Sequence, residues 1–231
     1  MKILHLNLSN VNDDEDWKSL IPFVSARRRE KISKYKHVED KVLSLYGELM
    51  IRMGLSKALG LSNDEELKFD FNEYGKPYCH IYTHLKFNLS HTRTCIIVCL
   101  SENKEVGVDV ERLNNPPYEI MNLCFHKNEI DYVNNPKESK IKSFFEIWTK
   151  KEAYLKCKGT GMVSDLDRID TCSMDEKFYS YISEDYFCTV CSEELEEVEV
   201  QSLSKEDIID FFLPEAGESK DNNIRIEQLA S

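Results

Sequence analysis

Two groups of charged residues in this 231-residue chain sit where ordinary packing would not choose them. In VGVDVE (106–111) a strand period of two puts Val106, Val108 and Val110 on one face and Gly107, Asp109 and Glu111 on the other. Neighbouring carboxylates on one face repel each other unless water or a cation stands between them. A solvent-facing edge strand supplies the water; a bound cation is the alternative. In FFEIWTKKEAYLKCKGTG (144–161), an advance of about 100° per residue gathers Phe144, Ile147, Trp148, Tyr154 and Leu155 on one arc. Phe145, Glu152 and Lys156 run along its edge. An i,i+4 salt bridge on a half-exposed helix accounts for Glu152 and Lys156 without any chemistry, and is worth only about 0.3–0.5 kcal/mol. Joined to Asp109 and Glu111, however, Glu152 completes three hard oxygen donors, a set suited to a hard cation that keeps positions open for water and phosphate. Lys151 falls inside the apolar arc, so it either snorkels outward or serves the same cleft.

Other stretches carry weaker signals. FNLSHT (87–92) offers a hydroxyl, Ser90, and an imidazole, His91, both able to hydrogen-bond a phosphate or a ribose. A serine-hydrolase reading needs a nucleophile elbow, and the chain has no G-x-S-x-G. NEYGKPY (72–78) is a turn, with Gly75 and Pro77 explained by turn formation alone. Basic residues cluster in ARRREKISKYK (26–36) and around Lys150, Lys151, Lys156 and Lys158, patterns open to phosphates, RNA or plain solvent. The formal charge is −12, and residues 175–231 carry all of it with 16 acidic and 4 basic side chains. Eight cysteines scattered along a chain that opens without a signal-peptide pattern read as reduced thiols. Cys188 and Cys191 form a C-x-x-C inside a strand-like run, and His80 and His84 lack a clear third ligand, so neither pair argues strongly for metal.

These residues need elements to hold them. Periodicity and breakers predict a strand at 3–8, a long amphipathic helix over 38–59 stopped by Gly60, a strand at 67–71, and strands at 94–101 and 105–112. Beyond Asn114 to Pro117 come helices near 117–134 and 139–158, then strands near 166–173, 177–183 and 185–192. The order is mixed α and β on both sides of residue 115. It divides the chain into an N-terminal half (1–115), a C-terminal half (116–213) and a polar, flexible tail (214–231). No apolar run approaches the roughly 18 residues a membrane span requires, and no internal repeat is evident in the residues themselves.

In chain order, GKP (75–77), FNLSH (87–91), GVDVE (107–111) and WTKKEAYLKCKGTG (148–161) resemble the ordered signatures of the 4′-phosphopantetheinyl transferases, and within them the longer, surfactin-synthetase-activating type. The resemblance covers about residues 20–192. It implies transfer of phosphopantetheine from coenzyme A to a serine of an apo acyl, peptidyl or aryl carrier protein, with release of 3′,5′-ADP. It implies an α/β fold built as a pseudo-twofold pair of similar subdomains with the site between them. By position, Asp109, Glu111 and Glu152 match the family's magnesium ligands. The resemblance also implies that Glu152 accepts the serine proton, directly or through water, and that Lys156 is the lysine near the transferred phosphate; Lys76, Ser90 and His91 match coenzyme contacts, and Arg28 and Lys31 fall where basic residues meet the 3′-phosphate. Arg28 keeps the charge and gains a bidentate fork if lysine is usual there. Ser44 stands where relatives can offer a further basic group, which thins the 3′-phosphate grip. The expected carrier groove lies near residues 112–135 and the start of the 139–158 helix. A cytoplasmic monomer with no nucleic-acid or membrane partner completes the expectation. Two other classes fit part of the pattern. Another magnesium-dependent phosphotransferase explains the acids and bases but not FNLSH and WTKKEA in this order, and a noncatalytic binding module explains the basic clusters but needs no convergent carboxylates.

Overall fold

The computed structural model describes residues 1–8, 15–62, 67–161, 165–174 and 177–214. Strand β1 (Lys2–Asn7) is followed by a 3-10 stretch (Glu15–Phe23), α1 (Ala26–Lys34) and α2 (Val38–Leu59). Then come β2 (Phe69–Phe71), β3 (Pro77–Cys79), β4 (Leu85–His91), β5 (Cys95–Glu102) and β6 (Val106–Arg112). The remainder is α3 (Met121–Cys124), α4 (Lys127–Asn134), α5 (Lys140–Lys158), β7 (Phe178–Ser183), β8 (Tyr186–Ser192), β9 (Glu199–Leu203) and α6 (Lys205–Phe212).

Two main sheets carry the fold, one in the order β4-β5-β1-β9 and one in the order β6-β8-β7. The sets β1, α2, β4, β5 and β6, α5, β7, β8 repeat one plan, since β4-β5-β1 and β7-β8-β6 are both antiparallel throughout. This mixed α/β architecture is therefore a topological pair, although its residues show no repeat. Alternation on β5 sorts the core. Ile96, Val98 and Leu100 pack under α2, whereas Cys95, Ile97 and Cys99 pack against Val106, Val108 and Val110 of β6 and Cys188 and Val190 of β8.

β6 pairs with β8, so the chain passes from one main sheet to the other at the turn between β5 and β6, ahead of the division expected at residue 115; Asn103 there takes the left-handed conformation at φ 63°. The two strands that this turn joins stack face to face instead of pairing. Pro116 and Pro117 merely end β6's extension. The last elements of the expected C-terminal half reach back to the first sheet: β9 pairs parallel with β1 and α6 packs on α2. The tail expected over 214–231 lies outside the described residues from 215 onward.

Helix α2 runs over the expected residues and ends on Gly60 at φ 65°, but it is not amphipathic. Val42 through Ser56 are buried on every side, because the sheet covers one face while α1, α6 and the 15–23 stretch cover the others. The helix expected over 117–134 is interrupted at extended Phe125 and restarts at a capping box formed by His126 and Glu129. The strand expected over 166–173 is two 3-10 turns, Leu166–Arg168 and Thr171–Ser173. Their conformation answers a buried cation: Lys151 Nζ donates hydrogen bonds to the carbonyls of Leu166 (2.7 Å) and Ile169 (2.6 Å). All eight cysteines are free, and Cys188 and Cys191 lie in separate core clusters on β8. Among the described residues no helix is long and apolar enough to cross a membrane.

Candidate active site

The two sheets meet along their edge strands β4 and β6, and every second side chain of β4 crosses the seam. Lys86 Nζ pairs with Glu105 at 2.9 Å, Asn88 Oδ1 accepts the Val108 N–H at 3.0 Å, and Ser90 Oγ donates to Asp109 Oδ1 at 2.9 Å. Asn88 stands in for a missing strand partner. On its other face β6 lies directly against α5. A Cβ on Gly107 would come within 2.0 Å of the Ala153 carbonyl oxygen and 2.2 Å of the Cys157 nitrogen, which is why this position of GVDVE must be glycine. Helix α5 is capped by Ser139 and ended by left-handed Gly159 at φ 65°.

This packing decides between the readings of the carboxylate pair. The face of β6 that bears Asp109 and Glu111 is covered by α5, so it is not a solvent-facing edge. Asp109 is buried, and Trp148 Nε1 donates to Glu111 Oε1 at 3.2 Å. The i,i+4 pair does not form either. Lys156 turns to the strand, reaching Asp109 Oδ1 at 2.6 Å and Ser90 Oγ at 2.9 Å, while Glu152 makes no ion pair among the described residues. Burial, then the charge of Asp109, hold the carboxyl groups of both Glu111 and Glu152 above the usual range. Asp109 Oδ2 is buried with no hydrogen-bond partner. Repulsion that Lys156 only partly offsets and an orphaned carboxylate oxygen fit a hard cation. No three acidic, histidine or cysteine side chains among the described residues already enclose one metal position. The donor set fits in chemistry without being a closed cage.

Two adjoining hollows of about 280 and 290 Å³ run from this cluster across Gly75, Pro77, Asn88 and Leu89. Glu152, Lys156 and Gly161 line one end; Arg28, Lys31 and His91 line the other. Partial enclosure, then the charges of Lys156, Lys31 and Arg28, outweigh a backbone contact at Thr92 and lower the His91 pKa, which favours the neutral ring in the free protein. Lys31 is exposed, with its ammonium 5.8 Å from the centre of the Tyr35 ring. A larger hollow of about 470 Å³ below the C-terminal part of α2, bordered by Lys57, Leu85 and Glu102, contains none of the expected residues.

Lys76 lines the cleft, but its ammonium is held by Glu105 (2.8 Å), the Val106 carbonyl (3.1 Å) and the Cys157 carbonyl (3.0 Å). It ties the GKP turn to both β6 and α5. Asn72 adds a second tie, from Nδ2 to the Gly159 carbonyl at 2.9 Å. Ser44 accepts from Arg28 Nη1 at 3.1 Å, so it orients that cation instead of adding another. Lys151 neither snorkels nor reaches the cleft; it forms a sealed pair with Glu129 at 2.8 Å. His80 pairs with Asp70 at 3.0 Å and His84 meets the Tyr82 ring, both away from the cluster. The sequence reading missed the roles of Asn88, Asn72 and Glu48. For Asn88 a signal existed, since Lys86, Asn88 and Ser90 alternate at strand period with an otherwise apolar β4.

A cleft with open carboxylates at one end and cations at the other, set between two repeated halves, belongs to an enzyme that handles a phosphorylated substrate. The sequence profile of the 4′-phosphopantetheinyl transferase superfamily matches residues 105–208, and that of the 4′-phosphopantetheinyl transferase N-terminal region matches residues 12–103. The chain is 30% identical to the 4′-phosphopantetheinyl transferase gsp of Aneurinibacillus migulanus, over 96% of this chain and 99% of that one. It is 31% identical to ffp of Bacillus subtilis over 72% of this chain and 74% of the relative, and 29% identical to Sfp of Bacillus subtilis (strain 168) over the same shares. The chain belongs to the 4′-phosphopantetheinyl transferase family. It is a transferase of the family that moves the phosphopantetheine group from coenzyme A to carrier proteins.

Proposed function

We propose that this chain modifies an apo carrier protein in a magnesium-dependent reaction within the cleft between β4, β6 and α5, acting as a cytoplasmic monomer. The observation that carries the reading is the incomplete cluster around Asp109: an orphaned Oδ2, two carboxyl groups raised by burial and then by its charge, and a lysine on Oδ1. Asp109, Glu111 and Glu152 would hold Mg²⁺, which when bound supplies neutralisation of the negative charge on the pyrophosphate.

The residues of the chain do the rest. Arg28, Lys31 and His91 receive the 3′-phosphate at the far end of the cleft, and Ser90 and the wall around Lys76 line its middle. Lys76 contributes its stem and backbone to that wall, its ammonium being spent on the protein. Glu152, raised toward neutrality by burial and by Asp109, is suited to accept the proton of the carrier serine. The serine oxygen bonds to the β-phosphorus as the bond to the departing 3′,5′-ADP breaks. Lys156, one helical turn from Glu152, stabilises the leaving oxygen. The carrier docks near residues 112–135 and the start of α5, where Leu123 and Ile141 are exposed. Lys127, Lys140 and Lys142 lie close to these residues in the sequence and would meet an acidic helix, Lys142 by exchanging its partner Glu138.

The test is incubation of the folded chain with coenzyme A, Mg²⁺ and a broad panel of apo carriers. Mass spectrometry should find one serine carrying a single phosphopantetheine group and an equal amount of 3′,5′-ADP. A chain that coenzyme A stabilises against heat but that modifies no carrier would turn the reading to a binding module.

A further inference from the structure

Behind the cationic end of the cleft, in the interior of α2, lies a carboxylate that no step above uses. Glu48 is buried, with a relative exposure of 4%. One oxygen, Oε1, accepts from the Ser25 N–H at 2.7 Å and from Arg52 Nε at 2.9 Å. The other, Oε2, accepts from Arg28 Nε at 3.0 Å and from Ser25 Oγ at 3.1 Å. Burial pushes the Glu48 carboxyl up, but the Ser25 backbone, Arg52 and Arg28 outweigh it and hold the group below the usual carboxylate range.

The arrangement is asymmetric in a useful way. Arg52 is sealed, its side chain 9% exposed, with its guanidinium 5.0 Å from the centre of the Phe69 ring. Arg28 is 27% exposed and faces the groove. Two cations share one anion, so the trio keeps a net positive charge, and the accessible member is Arg28. Of the five N–H donors on a guanidinium, Arg28 spends Nε–H on Glu48 and one Nη1–H on Ser44, which fixes the plane of the fork. Its remaining donors have no protein partner among the described residues. A fork fixed in plane loses less freedom when it grips a phosphate.

We propose that Glu48 is a positioning residue for the coenzyme's 3′-phosphate, acting through Arg28, with Arg52 restoring the charge that Glu48 would otherwise cancel. This rests on the reading of Arg28 as the 3′-phosphate contact. Simple electrostatics predicts the opposite sign, because deleting an anion near a phosphate should tighten binding.

Calorimetric affinities for coenzyme A and for dephospho-coenzyme A, which lacks the 3′-phosphate, decide between the two. Glu48→Gln should weaken coenzyme A by about tenfold and leave the dephospho analogue within about twofold, the scale of a lost preorganised contact. In an Arg28→Ala background the same change should add less than about twofold, because the two residues act as one unit. Where Glu48→Gln leaves Arg52 uncompensated and the protein fails to fold, Glu48→Met with Arg52→Met removes both buried charges and carries the same expectation. Unchanged or tighter coenzyme A binding, an equal loss on both ligands, or full additivity with Arg28→Ala overturns the proposal. Wild-type turnover on carriers, measured alongside, keeps the two readings apart: binding without transfer defeats the transferase reading and leaves the Glu48 comparison readable.

Discussion

Among the lysines of helix α5 that pair with carboxylates, three have partners from distant parts of the chain at nearly equal distance and with entirely different consequences. Lys151 meets Glu129 at 2.8 Å, Lys156 meets Asp109 at 2.6 Å, and Lys158 meets Glu193 at 2.8 Å. What separates them is the rest of each shell. The Lys151 pair is 1% and 0% exposed and fully satisfied: two carbonyls complete the ammonium, and Thr171 and the His126 N–H complete the carboxylate. The Lys156 pair is equally short but unfinished, with one carboxylate oxygen buried and unpartnered and the ammonium 29% exposed at the cleft. The Lys158 pair is in solvent. A finished buried pair holds structure, an unfinished one awaits a ligand, and an exposed one does little.

Breaking the finished pair should have the largest effect. Lys151→Ala strands the Glu129 carboxylate in the interior and should cost about 3–5 kcal/mol of unfolding free energy in urea titrations. Turnover per folded molecule should hardly move. If stability survives, the pair is not the structural lock inferred here. Breaking the unfinished pair should reverse the pattern: Asp109→Ala should lower kcat at least about 100-fold, with little change in Tm. Full activity in that variant would remove Asp109 from the chemistry.

A smaller effect tests the third buried acid, Glu48. Its folded pKa lies below its unfolded one, so its ionised form stabilises the fold above the unfolded pKa, and that stabilisation is lost as pH falls through the folded value. The stability gap between the wild type and Glu48→Gln should therefore be widest near neutral pH and narrow on acidification below about 4. A gap independent of pH would refute the ionised assignment. Smallest of all, Lys158→Ala should shift Tm by no more than about 2 °C, and a larger shift would mean that exposure is a poor guide to what these pairs do.

The legible part of this molecule was whatever depends on period and local breakers. Alternation alone placed Gly107, Asp109 and Glu111 on one face of β6, and the helix wheel put Glu152 and Lys156 on one edge of α5. Gly60 and Gly159 stop their helices with positive φ, as glycine there suggests. What stayed hidden depends on partners far along the chain. Lys151 could be seen to face the core, but Glu129 lies 22 residues away behind a helix break, and nothing local couples them. The change of sheet between β5 and β6 was not legible, because a turn that stacks two strands and a turn that pairs them can use the same kinds of residue. The motif FNLSH was recognised by its order, yet the reason for its asparagine, an amide that completes the edge of a different sheet, required the seam to be seen.

The return of β9 to the first sheet bears on how the molecule is made. Leu6 pairs with Leu203, so the sheet that holds β1 is completed only by a strand made after β8. During synthesis β1 can pair with β5 as soon as that hairpin region emerges, but its other edge stays bare until the acidic segment beyond β8 leaves the ribosome. An open strand edge is a template for wrong partners, and pairing across such a sequence separation is slow. The glutamates at 193, 194, 196, 197 and 199 put like charge beside and on that strand, which disfavours its pairing with a second copy of itself before it reaches β1.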